Sequence, residues 1–132
     1  MIVFDASTLV GAALKADSVP ERALLRAEEV DVLALSAAVD AELSEVLSRP
    51  KFTRAVSAER LQRFLDLLRT SSLWFEPSVH VTDCRDPKDN KYLELALASG
   101  AETIVSSDND LIVLHPWRGV KILSAADYLA LT

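Results

Sequence analysis

Met1-Ile-Val-Phe-Asp5-Ala-Ser-Thr8 opens the chain with a run of four apolar residues, ended by a carboxylate and followed by small and hydroxyl-bearing side chains. An apolar run without polar alternation is the pattern of a strand covered on both faces, the usual situation in a parallel sheet. Asp5 and Ser7 then predict a helix start. Working outward, the same unit recurs. Residues 20–29 read as a helix with Pro20 in its first turn, and 30–35 as a strand. Ser36 predicts an N-cap for a helix to about residue 48, stopped by Pro50. A further helix over 57–70 carries Leu61, Phe64, Leu65 and Leu68 on one face. Residues 73–76 read as a strand, 87–99 as a helix ending at Gly100, 102–106 as a strand, 109 onward as a brief helical turn, 120–123 as a strand and 125–131 as a closing helix. This alternation predicts a doubly wound α/β fold, a three-layer α/β/α sandwich around an open parallel sheet, in one domain spanning 1–132.

Composition agrees with one compact unit. Half of the 132 residues are apolar and only three are Gly and five Pro, and a chain of this size buries roughly two-thirds of its unfolded surface. One cysteine, Cys84, has no partner within the chain, which with the lack of a signal-peptide pattern predicts a reducing, cytoplasmic setting. No apolar run approaches the ~20 residues that cross a bilayer. The net charge of −6 argues against a nucleic-acid partner until its distribution is considered. Between positions 49 and 69 stand Arg49, Lys51, Arg54, Arg60, Arg63 and Arg69 against only Glu59 and Asp66. That stretch is either a solvated helix face or a wall for a phosphate backbone.

Four carboxylates occupy positions where the pattern asks for something else. Asp5 and Asp108 follow the first and fourth strands, at the end of the sheet where α/β proteins bind ligands. Each also suits an N-cap. Glu42 borders the apolar stripe of Val39, Leu43, Val46 and Leu47, with Asp40, Ser44 and Ser48 on the outer side. A carboxylate there is exposed at an edge, paired or bound to a cation, because burying it bare costs several kcal/mol. Asp89 shares a helix face with Tyr92, Leu93, Ala96 and Leu97, although near a helix start it also favours the dipole. Asp86 is explained by capping with Pro87 at the first helical position, and Asp110 points either into the same cleft or to solvent.

If these carboxylates converge, their repulsion raises their pKa values unless a cation neutralises them. All-oxygen ligation selects Mg²⁺ or Mn²⁺ over zinc, and His80 and His115 lack zinc-ligand spacing. Such an ion activates water toward a phosphodiester, so hydrolysis of a nucleic-acid backbone is the predicted reaction.

Four segments carry a resemblance: Ile2-Val-Phe-Asp5-Ala-Ser-Thr8, Ala41-Glu42-Leu43, Asp86-Pro-Lys-Asp89-Asn-Lys-Tyr-Leu-Glu-Leu-Ala96 and Ile104-Val-Ser-Ser-Asp108-Asn-Asp110-Leu111. In order and spacing they resemble the signature segments of a PIN domain over nearly the whole chain. The resemblance implies a central, mostly parallel five-stranded sheet flanked by helices. It also implies a Mg²⁺- or Mn²⁺-dependent endoribonuclease whose acidic ligands are Asp5, Glu42, Asp89 and Asp108. Ser106 matches a hydroxyl position two residues before the last ligand, and Asp86 and Asp110 match accessory acidic positions. Small PIN proteins similar to VapC toxins cleave RNA until a cognate antitoxin fills the cleft, and commonly form homodimers. The basic residues Arg49, Lys51, Arg54, Arg60 and Arg63 would then flank the RNA.

Other readings are a PIN-like RNA-binding or regulatory module without useful catalysis, and a haloacid-dehalogenase-like phosphatase. The phosphatase needs an Asp two residues after the nucleophile, where Ser7 stands. Gly11, Gly100 and Gly119 form neither a dinucleotide fingerprint nor a phosphate loop.

Overall fold

Ile2, Val3 and Phe4 are all buried, so the opening apolar run is the middle of the protein. The computed structural model describes all 132 residues. Strand β1 (Ile2–Phe4) leads into α1 (Ala6–Leu14), and α2 (Val19–Val30) follows with Ser18 as its N-cap. Strand β2 (Ala34–Leu35) is shorter than its apolar sequence suggested, because α2 continues through Val30 and is capped by Asp31. Ser36 caps α3 (Ala37–Leu47), its side chain accepting from the Val39 N–H.

Pro50 does more than stop that helix. At the first position of a helix its missing N–H costs nothing, and it starts the four-residue α4 (Pro50–Thr53). Helix α5 (Ala58–Ser71) then buries Leu61, Leu65 and Leu68 and leads into β3 (Leu73–Trp74). The segment read as one helix over 87–99 is divided. Pro87–Asp89 forms a 3-10 turn capped by Asp86, and α6 (Asn90–Ser99) starts after it, ending at Gly100 with φ 68°. Strand β4 (Thr103–Val105), helix α7 (Asn109–Ile112), strand β5 (Lys121–Leu123) and helix α8 (Ala125–Leu131) complete the chain.

All strand pairings within the two ladders are parallel. One ladder joins β1, β4 and β5 in the register Ile2 to Thr103 and Thr103 to Lys121; a separate two-stranded ladder joins β2 and β3. The expected continuous five-stranded sheet is therefore interrupted. A single parallel bridge, Ile2 to Leu33, with Ile2 N–H donating to the Val32 carbonyl at 3.0 Å, links the ladders in the order β3-β2-β1-β4-β5. Two-residue strands at β2 and β3 supply too few backbone groups to extend that ladder further.

Alternation along β1 separates two cores. Ile2 and Phe4 pack with α1, α2 and α5, whereas Val3 joins Ile104, Ile122 and the α6 residues Leu93, Leu95 and Ala96. Helices on both faces give the three layers. The chain leaves β1 toward β2 and β3, then returns to the opposite side of β1 as β4. Strand order thus reverses between β1 and β4. The peptides leaving these strands diverge there and open a cleft at their carboxyl ends.

Candidate active site

The cleft at this reversal has a volume of about 160 Å³ and is lined by Asp5, Ser7, Glu42, Asp86, Lys88, Asp89, Tyr92 and Asp108. Six separate elements deliver these side chains, Ser7 from the first turn of α1 among them. Asp5 comes from the end of β1, Glu42 from α3, Asp86 and Asp89 from the 3-10 turn, Tyr92 from α6 and Asp108 from the loop after β4.

Asp5 is 2% exposed and both of its oxygens are engaged. Oδ1 accepts from the Thr8 N–H at 2.8 Å, capping α1, and from the Ser7 hydroxyl at 3.1 Å. Oδ2 accepts from the Ser106 hydroxyl and the Ser107 N–H. Capping and membership of the cleft are therefore not alternatives for this residue. The same holds for Asp108, whose Oδ1 accepts from the Asp110 N–H at 2.9 Å and caps α7 while the side chain lines the cleft. Ser106 is completely buried, and its hydroxyl also accepts from the Asp108 N–H at 2.9 Å, tying the ends of β1 and β4 together.

Asp86, Asp89, Asp108 and Asp110 each offer an oxygen, all within 4.8 Å of one another. Asp89 and Asp108 belong to both this tight group and the set read from sequence. Asp86 and Asp110, read as accessory, complete this tight group, while Asp5 and Glu42 share the cleft wall with Asp89 and Asp108. Asp110 is engaged by the Arg85 guanidinium, whose Nε donates at 2.9 Å.

Asp89 is 8% exposed, and its Oδ2 is buried without a hydrogen-bond partner. Burial, together with the neighbouring Asp108, Asp86 and Glu42 charges, pushes its carboxyl up to about 7. Asp108 moves the other way, held below the usual range chiefly by a hydrogen bond from Asp89. Asp89 is thus biased toward its protonated form and Asp108 toward its ionised one.

Glu42 is not left bare. Lys91 Nζ approaches its Oε1 at 2.9 Å and the Tyr92 hydroxyl donates to the same oxygen. That hydroxyl accepts from the buried Ala6 N–H at 3.0 Å, so Tyr92 links the start of α1 to Glu42. Sequence reasoning missed Tyr92, counting it only in an apolar stripe; its polar tip at the start of α6, three residues after Asp89, was the available signal. Tyr92→Phe is expected to lower stability by about 1–3 kcal/mol, because it strands a buried N–H and removes one Glu42 partner. A shift in the urea midpoint at unchanged m-value checks this.

Asp40 and Ser44, placed on the outer side of α3 by the sequence pattern, instead face α5. Arg69 Nε donates to Asp40 Oδ1 and its Nη2 to Ser44 Oγ, both at 2.8 Å. Arg69 thereby leaves the pool of free basic residues. Arg49 pairs with Glu45 at 2.8 Å and still feels the Glu42 charge, while Lys51, Arg54, Arg60 and Arg63 are exposed along α4 and α5. No helix is long and apolar enough to cross a membrane.

Among solved structures, the crystal structure of PAE2754 from Pyrobaculum aerophilum has a similar fold, with a TM-score of 0.63 and 18% identity over 98% of this chain and 88% of that one. In sequence, an uncharacterised protein of Methanocaldococcus jannaschii, MJ1680, is 29% identical over 116 residues, 86% of this chain and 74% of that protein. The family model described as PIN domain matches residues 1–110, which include every acidic side chain of the cleft. The chain accordingly belongs to the PIN domain family, whose members are generally nucleases.

Proposed function

We propose that this protein is a Mg²⁺- or Mn²⁺-dependent endoribonuclease that hydrolyses RNA phosphodiester bonds. The observation that carries the reading is Asp89 Oδ2, a buried carboxylate oxygen without a donor inside an all-oxygen cluster. A bare buried oxygen of this kind is costly, and a hard divalent cation relieves the cost. Asp89 and Asp108 would hold the ion, with Asp86 and Asp110 within reach and Asp5 and Glu42 in the same cleft. The absence of His and Cys from this donor set suits Mg²⁺ or Mn²⁺ rather than zinc. The chemistry such an ion supplies when bound is activation of water and compensation of charge growing on the phosphorus oxygens.

The chain's own groups have separable tasks. Ser106 fixes Asp5 and the Asp108 backbone in one geometry. Lys91 and Tyr92 hold Glu42 against the wall of the cleft. In the metal-free protein burial and the neighbouring carboxylates push the Asp89 carboxyl up to about 7, so a cation held there would displace its proton. Cleavage of a labelled single-stranded RNA in the presence of Mg²⁺ or Mn²⁺, and none in excess EDTA, is the expected outcome. Binding without cleavage under every metal condition would leave only a binding or regulatory role.

The exposed cations Lys51, Arg54, Arg60 and Arg63, with Arg49, would guide the RNA backbone. Replacing Arg60 and Arg63 by Gln is expected to weaken RNA binding and to flatten its salt dependence by about 0.7 in log–log slope for each phosphate no longer neutralised. Anisotropy titrations between low and moderate salt read this directly. An unchanged slope returns the pair to a solvated helix face.

The likeness to small VapC-type toxins extends the proposal to restraint by a cognate antitoxin and to a homodimer. Leu67, Leu73 and Trp74 are 63%, 53% and 46% exposed and supply apolar surface for such contacts. Growth arrest on expression, relieved by Asp108→Asn, tests the toxin role.

A further inference from the structure

At about 160 Å³ the acidic cleft is smaller than the ~300 Å³ at which small-molecule pockets begin, so a bound nucleic acid must continue beyond it. One neighbouring cavity qualifies. A pocket of about 450 Å³ shares Lys88 with the cleft and is also lined by Thr82, Asn90, Lys91 and Glu94. The other large cavities, of about 490, 610 and 310 Å³, have no lining residue in common with the cleft.

The lining chemistry suits an anion. Lys88 is exposed and forms no ion pair, yet its charge helps hold Asp108 ionised, so it stands between the cleft and the pocket. Lys91 lines the pocket while bonded to Glu42 of the cleft. Asn90 accepts from the Cys84 N–H through Oδ1 at 2.8 Å, which leaves its amide NH₂ to donate. Thr82 adds an exposed hydroxyl. The one acid present, Glu94, has its Oε2 engaged by the Val81 N–H at 2.9 Å and by His80 at 3.4 Å, against the two lysines.

We propose that this pocket receives the phosphate adjacent to the scissile one in an RNA substrate, with Lys88 as its principal charge contact. The proposal rests on the nuclease reading. It adds a second track to the α4–α5 cations, on the other side of the reaction centre in sequence, and makes Lys88 a residue that sets the substrate's minimum length.

The test compares a dinucleoside monophosphate with the same compound carrying a 5′- or a 3′-terminal phosphate, each with one scissile bond, in Mg²⁺ and with the full chain. Wild type is expected to favour one phosphorylated form in kcat/KM by about tenfold, the effect of one charge-assisted hydrogen bond. Lys88→Gln should bring that ratio close to unity and Lys88→Arg should restore it. No preference in wild type, or a preference that survives Lys88→Gln, overturns the proposal. If wild type cleaves none of the three, the labelled single-stranded RNA assay decides the nuclease reading separately, and binding decides the pocket. On an Asp108→Asn background, Lys88→Gln should then weaken binding of a labelled oligoribonucleotide and lower the salt slope by about 0.7, the value for one phosphate. Equal affinity and slope would overturn it in that case too.

Discussion

Asp108→Asn is expected to abolish RNA cleavage while leaving the protein folded. Asn caps a helix as well as Asp does, so its side-chain oxygen still accepts from the Asp110 N–H and α7 is retained. The charge does not survive. Partners that merely orient a metal ligand cost 10–100-fold when removed, so losing a ligand in the tight carboxyl group should lower kcat/KM by more than about 100-fold. RNA affinity in EDTA should hold or rise, because one negative charge facing the phosphates is gone. Parallel measurements of cleavage, RNA binding and thermal midpoint separate these effects. A variant that still cleaves within about threefold of wild type would place catalysis elsewhere, since a transition-state interaction cannot be removed so cheaply.

Why that residue is legible from sequence, and others less so, follows from what each signal measures. Apolar runs and caps report local physics, which is why the N-cap read at Ser36 and the helix start read at residue 57 are both present in the structure. Strand length is set by neighbours. Residues 30–32 read as strand, yet α2 takes Val30, Asp31 caps it and β2 keeps only Ala34–Leu35. The break between the two ladders lies in the same place, where one bridge at Ile2 and Leu33 stands for a full pairing. Pro50 reads in the sequence for what it forbids, and its capacity to begin α4 is hidden there.

The site shows a parallel contrast. Asp5, Glu42, Asp89 and Asp108 break their local patterns, and all four line one cleft. Their counter-charges break no pattern. Lys88 and Lys91 look like solvated helix residues in the sequence, and Tyr92 looks like core, but the fold sets all three against the carboxylates. Arg69 illustrates the converse, a basic residue in a basic stretch that is spent on Asp40 and Ser44. Pairings between helices 25 or more residues apart follow from packing angles, which local periodicity does not encode.

The second large effect concerns stability rather than rate. Asp89 titrates at about 7 in the folded, metal-free protein, whereas an Asp in an unfolded chain titrates at about 3.9. Between those values the native state holds a proton that the unfolded state lacks. Stability of the metal-free protein therefore falls as pH rises from about 4 to about 7 and levels off above that. Asp89→Asn removes the titrating group and its repulsion with Asp108, and its amide can donate to Asp108 as the protonated acid does. At pH 8 in EDTA the variant should be more stable than wild type by roughly 1–3 kcal/mol, with little difference at pH 4. Saturating Mg²⁺ should reverse the order, because binding to the native state stabilises wild type by RT ln(1 + [L]/Kd), whereas the variant is short of a ligand. Urea unfolding at the two pH values, with and without the ion, gives all four quantities. A variant less stable than wild type at pH 8 in EDTA would mean that Asp89 serves the start of α6, and that its unpartnered oxygen is not reserved for a cation.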